Sequence, residues 1–203
     1  MGRRVRVLVA AGLLAGVLTA STGCLFNFFQ TARTIGAGNV ALTIGTGLFD
    51  LNLDEEDEDY YLTPQARLAI GLTDGVDLGF QTGFMVPLEG GDLGWFGATG
   101  DVKFALFDVP DAFALAVGLG GGYSLEVLGW DVFAEAFFDS NVRFLPVFVG
   151  YQAHVALVGG FALIQHFAGG LKLRLSDKVR ILVQADFNSY TFVSYGLAIE
   201  IEF

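Results

Sequence analysis

Strict alternation of large apolar residues with small or charged ones constrains this chain more than any other feature. In Tyr195–Phe203 every second residue is large and apolar: Tyr195, Leu197, Ile199, Ile201 and Phe203. Gly196, Ala198, Glu200 and Glu202 lie between them. A two-residue period places successive side chains on opposite faces of a β-strand, so one face suits an apolar medium and the other suits water or ion pairs. The same pattern recurs upstream. Val40, Leu42 and Ile44 alternate with Ala41, Thr43 and Gly45, and Phe113, Leu115, Val117 and Leu119 alternate with Ala114, Ala116, Gly118 and Gly120.

From residue 39 onward ten such segments can be counted, separated by turn signals and loops, although 126–145 parses poorly and eight or twelve strands also fit. Short turns are expected near 74, 109, 140 and 177, which are the second, fourth, sixth and eighth connections. An even strand count returns both ends of the chain to the side of the short turns. No repeat of fixed length is present.

Composition separates the readings of this alternation. The chain is 53% hydrophobic with a mean hydropathy of +0.56. After the first two dozen residues, no stretch is long and uncharged enough for a spanning helix, which needs ~20 apolar residues. Apolarity spread through short alternating strands fits an all-β fold, a closed antiparallel transmembrane β-barrel. In lipid a sheet can pair all its backbone groups only by closing on itself. A soluble barrel would use the same period with its faces exchanged. Aromatic residues near the loop-side strand ends (Tyr60, Tyr61, Trp95, Phe96, Trp130, Tyr190 and Phe192) suit a membrane-interface girdle and favour the lipid reading.

Two segments resemble known signals. Tyr195, Leu197, Ile199, Ile201 and Phe203 resemble the C-terminal signal strand of bacterial outer-membrane β-barrels, whose terminal aromatic residue is read by the assembly machinery. That pattern usually carries Gly where this chain has Ala198. At the other end, Arg3, Arg4 and Arg6 precede an apolar run from Val7 to Ala20 of signal-peptide length. The following Ser21-Thr22-Gly23-Cys24 resembles a lipoprotein signal, with Ser21 in place of the usual Leu. This implies cleavage after Gly23 and lipidation of Cys24; cleavage near Ala20 is the plainer alternative. The expected organisation is a signal peptide at 1–23, a periplasmic tether at 24–37 and a barrel at 38–203, in the outer membrane with both termini periplasmic. Cys24 is the only cysteine, so no internal disulfide forms.

Charge excludes one class of partner. The chain has 22 acidic and 11 basic side chains, and three of the bases (Arg3, Arg4, Arg6) fall in the signal, so the remainder carries a net charge of −14. Binding nucleic acid through its phosphates is therefore not expected. The partners implied are outer-membrane lipids and the barrel-assembly machinery. The acidic run Asp54–Asp59 is expected to be a solvated loop; a sharper reading has it recruit divalent cations that bridge to lipopolysaccharide.

Inward parity collects Arg67, Asp101, Lys103, Glu135, Lys172, Arg174, Arg180, Asp186, Glu200 and Glu202. Lys172, Arg174, Arg180, Glu200 and Glu202 are expected to form one charge network in the lumen, because isolated buried charges are costly. Many other inward positions are Gly or Ala, so the lumen is expected to be narrow but not fully plugged. His154 and His166 are the only histidines, and a regular hairpin centred near Gly160 would set them face to face near the outer mouth. They are weak candidates for metal binding or for a general base. No catalytic residue and no cofactor is assigned. Gly118–Gly122 lies in a strand without a phosphate-loop Lys, so no nucleotide role is expected. The functions in play are a structural, surface-interaction or passive-transport role for an outer-membrane barrel. A narrow pore, an outer-face barrel hydrolase and a soluble periplasmic lipid-binding barrel are the alternatives.

Overall fold

The computed structural model describes residues 29–50, 60–110, 112–124, 129–140, 142, 146–157, 162–188 and 193–203. The expected signal peptide, Cys24 and the acidic run Asp54–Asp59 lie outside the described residues. So do Tyr190, Phe192 and the side chain of Phe96.

Ten antiparallel strands close into one barrel. They are β1 (Val40–Asp50), β2 (Tyr60–Thr73), β3 (Val76–Pro87), β4 (Gly94–Val109) and β5 (Phe113–Ser124), followed by β6 (Gly129–Ser140), β7 (Val147–Ala156), β8 (Ala162–Arg174), β9 (Val179–Asn188) and β10 (Val193–Glu202). Each strand pairs with its neighbours in sequence. β1 also pairs with β10, from Ala41 opposite Glu202 to Phe49 opposite Ser194, and this removes both sheet edges. The turns after β2, β4, β6 and β8 gather at one end, here the turn end, where β1 starts and β10 finishes. The other five connections mark the loop end.

Alternation sorts the side chains as the two-residue period requires. Ile44, Leu68, Phe80, Phe104, Leu119, Val149, Leu171, Leu197 and Ile199 stand on the outer surface with their side chains exposed. Charged and polar residues such as Arg67, Asp101, Glu135 and Gln184 are buried inside. β6 explains why 126–145 parses poorly from sequence. Its inward face carries Asp131, Phe133, Glu135, Phe137 and Asp139, all buried, while Ala134 and Ala136 face outward. Aromatic residues thus fill the lumen in a strand whose outer face narrows to alanine in its middle. β4 also departs from simple alternation. A bulge between Ala105 and Phe107 puts Phe107 opposite Leu115 and leaves both Leu106 and Phe107 exposed.

Residues 29–37, expected to belong to a tether, lie inside the turn end of the barrel. Phe29, Gln30, Thr31 and Ala32 are buried, with Ala32 fully covered. Phe29 packs with Phe148, Leu182 and Ala198, and Ala32 packs with Ala114, Ala116 and Phe137. The wall is cut to receive this segment. A Cβ on Gly71 would stand 1.8 Å from the Gly36 carbonyl oxygen, and one on Gly45 would stand 2.7 Å from the Phe29 ring. Over residues 29–37 the chain is packed against the wall and not free as a tether would be, because this stretch carries apolar and small residues that the lumen can bury.

Candidate functional site

The barrel interior holds the chemistry, in three zones. At mid-height Arg67 of β2 reaches over β3 to Asp101 of β4, with contacts of 2.5 and 2.8 Å. Both side chains are almost completely buried. Gly79 permits this, because a Cβ there would meet the guanidinium at 2.0 Å. The same device recurs opposite. Gly118 yields its space to Glu135 and Gly120 yields its space to Phe133, each its partner across the β5–β6 ladder. At Gly79, Gly118 and Gly120 the space a Cβ would take is therefore occupied. Larger side chains from the next strand fill it, so small inward residues are not by themselves a sign of open space. Gln81 donates to Gln65 at 2.7 Å, and Gln184 donates to Asp186 at 2.7 Å. Buried polar groups without such partners would each cost about 1–3 kcal/mol.

At the turn end the irregular segment 29–37 is held largely through its backbone. The amide N–H of Phe29 donates to Gln184 (3.0 Å), that of Ala32 to Asp139 (2.9 Å), that of Ile35 to Asp77 (3.2 Å) and that of Ala37 to Asp74 (3.2 Å). Lys103 donates to the carbonyl oxygens of Thr31 and Arg33, both at 3.0 Å. The wall charges are also matched among themselves. Lys103 lies 3.3 Å from Asp77, and Lys172 lies 2.6 Å from Asp139. A coil inside a barrel has no ladder to satisfy its backbone, so side chains of the wall supply the partners. At the rim Arg33 pairs with Asp108 at 3.0 Å.

The loop end holds the histidines. Gln152 lies opposite His166 and His154 opposite Ile164, so the two histidines sit diagonally across the β7–β8 ladder and not face to face. The hairpin register is centred one residue earlier than Gly160, which shifts each pairing by two. Their rings nevertheless approach to 4.8 Å between centroids. His154 Nδ1 meets the Asp131 carboxylate, and its Nε2 lies 2.8 Å from Gln152 Oε1. Gln152 in turn donates to Glu135 at 3.2 Å. Both nitrogens of His154 thus face acceptor oxygens, the Asp131 carboxylate and the Gln152 amide oxygen. Among the described residues, no group of three or more His, Cys, Asp or Glu side chains is placed to hold a metal ion.

The five charges expected in one network divide into three sets. Arg180 bridges Glu200 at 2.5 Å and Glu202 at 3.0 Å. Lys172 belongs with Asp139 and the N-terminal segment. Arg174 is exposed and pairs with Asp177 in the β8–β9 turn. Sequence reasoning missed Asp77, Asp139 and Gln184 as parts of the turn-end site. For Asp77 and Asp139 inward parity beside a turn was a usable signal, and for mid-strand Gln184 parity alone was; the segment they hold was not. Of the residues read as an assembly signal, Tyr195, Leu197, Ile199 and Phe203 are exposed on the outer side of β10 or just beyond it, and Ile201 is half-buried. Trp95 and Trp130 also face outward. Trp95 stacks on Tyr123, and Tyr123 meets Trp130 edge-on. Tyr61 instead pairs with the inward Phe49.

No family model matches the chain, and no curated protein matches it. Among solved structures it is similar to the N-terminal β-barrel domain of Pseudomonas aeruginosa OprF, at 13% identity over 83% of this chain and 99% of that one, with a TM-score of 0.38. It is similar to the Acinetobacter baumannii outer membrane protein Omp33 at 8% identity over 84% and 100%, TM-score 0.40. It is similar to the KdgM porin at 6% identity over 80% and 99%, TM-score 0.40. The barrel itself rests on the pairing of this chain's own strands.

Proposed function

We propose that this chain is a small bacterial outer-membrane β-barrel with a closed lumen, serving a structural or surface-interaction role. One observation carries the reading: the exposed face of the closed sheet is apolar along the described strands, while their charges, apart from Arg174 and Asp108 at the turn-end strand ends, lie inside it. A soluble lipid-binding barrel would show the reverse, with charges in water and aliphatic side chains around the ligand. An exposed apolar surface of this extent has a natural solvent in hydrocarbon. The stacked Trp95, Tyr123 and Trp130 on the outer surface fit the loop-side interface.

The interior argues against passive transport. Arg67, Glu135, Phe133, Phe137, Phe148 and His166 are all buried, and the turn end is further filled by residues 29–37. The role that remains is one carried by the outer surface and the loops. In this reading residues 1–23 export the chain, Cys24 is lipidated, both termini are periplasmic, and Asp54–Asp59 faces the cell exterior.

Fractionation with heat-modifiable gel mobility tests the membrane assignment. The protein is expected in the outer membrane, with a mobility that changes on boiling. Recovery in the soluble fraction without detergent would overturn it. Planar-bilayer recording tests the closed lumen, and a stable conducting state of the intact protein would refute that part.

A further inference from the structure

We infer that the turn-end mouth of the barrel is a polypeptide-binding site that reads main-chain groups, and that residues 29–37 are its resident, exchangeable ligand. The inference stands on the mouth alone and does not depend on the membrane reading.

Three observations lead to it. The contacts are made chiefly to backbone. Gln184, Asp139, Asp77 and Asp74 accept the N–H groups of Phe29, Ala32, Ile35 and Ala37, and Lys103 donates to the carbonyls of Thr31 and Arg33. Five side chains drawn from β3, β4, β6, β9 and the β2–β3 turn therefore recognise features that any non-proline segment offers. Side-chain selection rests on two buried places, beside exposed contacts of Arg33 with Asp108 and of the Thr34 hydroxyl with the Asp74 carbonyl at the rim. Phe29 enters an apolar socket of Phe148, Leu182 and Ala198, and Ala32 sits fully covered against Ala114, Ala116 and Phe137. The ligand class is thus a segment without regular secondary structure that carries an aromatic residue followed three positions later by a very small one.

The third observation concerns the emptied site. Lys103 remains beside Asp77, and Lys172 remains beside Asp139. The charges that hold the segment are already paired with one another, and the site lies at an open end of the barrel where water can supply the remaining hydrogen bonds. An apolar socket of this size would be costly to vacate. The socket of Phe29 is only part of this site, and the charged wall groups keep partners with and without the segment, which favours exchange.

The test uses the full chain in detergent micelles and a fluorescein-labelled synthetic peptide of residues 29–37. Ala32→Leu cannot fit beside Ala114 and Ala116, so it unseats the resident segment and leaves the wall intact; Ile35→Pro removes the N–H that Asp77 accepts and serves as a second unseating variant. Retained heat-modifiable mobility shows that each variant still folds. Anisotropy should show either variant binding the peptide about tenfold or more tightly than the wild type, because the wild-type site is occupied in cis and its apparent affinity falls with the fraction of empty sites. Adding Lys103→Met to the variant should abolish the gain. Equal affinity in wild type and folded variant, or a gain that survives Lys103→Met, would overturn the inference. Hydrogen exchange on the wild type gives a reading that needs no variant. The amides of Phe29, Ala32 and Ile35 should exchange well before those of β1; exchange as slow as the strand amides would mean that the segment is a permanent part of the barrel.

Discussion

The outward and inward faces of this sheet obey the same two-residue period and opposite rules. Outside, aliphatic and aromatic side chains are nearly interchangeable, and the requirement is only that charge be absent. Inside, charge is abundant, and most of it is tied to an opposite charge, Arg67 to Asp101, Lys103 to Asp77, Lys172 to Asp139, Arg180 to Glu200 and Glu202, while Glu135 is held by Gln152 and Asp186 by Gln184. The outer face is specified by composition and the inner face by pairing. A composition rule tolerates many single changes. A pairing rule breaks when either member is lost.

The largest effect is therefore expected at the mid-height pair. Arg67→Met leaves Asp101 buried without its cation and should destabilise the barrel by about 3–5 kcal/mol, read from urea unfolding in phospholipid vesicles. Arg67→Met combined with Asp101→Leu should recover much of this. No recovery would mean that packing around Gly79, and not charge pairing, governs the inner face.

On the outer face the sensitive change is the arrival of charge. Leu119 stands exposed near the middle of β5, and Leu119→Arg should cost roughly 2–4 kcal/mol in the same assay if lipid surrounds it. A neutral outcome would break the comparison, because water would then bathe both ends of the rule.

Packing of the lumen gives a smaller effect. A Cβ at Gly118 would stand 2.3 Å from Glu135 Oε1, so Gly118→Ala should cost roughly 1–3 kcal/mol by forcing that carboxylate off its place. Unchanged stability would show spare volume inside the barrel. At the bottom of the scale, Arg174→Ala removes only an exposed pair with Asp177 and should change stability by roughly 0–1 kcal/mol. A larger loss would show that the β8–β9 turn contributes to the interior.

How much of this was legible in the sequence follows from how local each feature is. Ten strands, their parity and the turns near 74, 109, 140 and 177 were readable, because alternation and turn residues act over a few positions. β6 was read poorly for a related reason. Phe133 and Phe137 share a face with Glu135, and only the barrel around them shows that an interior can bury aromatic and charged groups side by side. The histidine pair was placed on the correct face but in the wrong register, since one residue in the centre of a hairpin moves every partner by two.

The sequence by itself determined that this chain alternates, turns its charges to one side and has about ten strands, with eight or twelve still open. Only the tertiary structure decided which charge meets which, and that residues 29–37 enter the lumen. Some of those contacts join strands that are not neighbours, as Arg67–Asp101 joins β2 with β4 and Lys172–Asp139 joins β8 with β6, and others join a coil to five separate parts of the wall. They depend on barrel closure and stagger, which no period along the chain encodes.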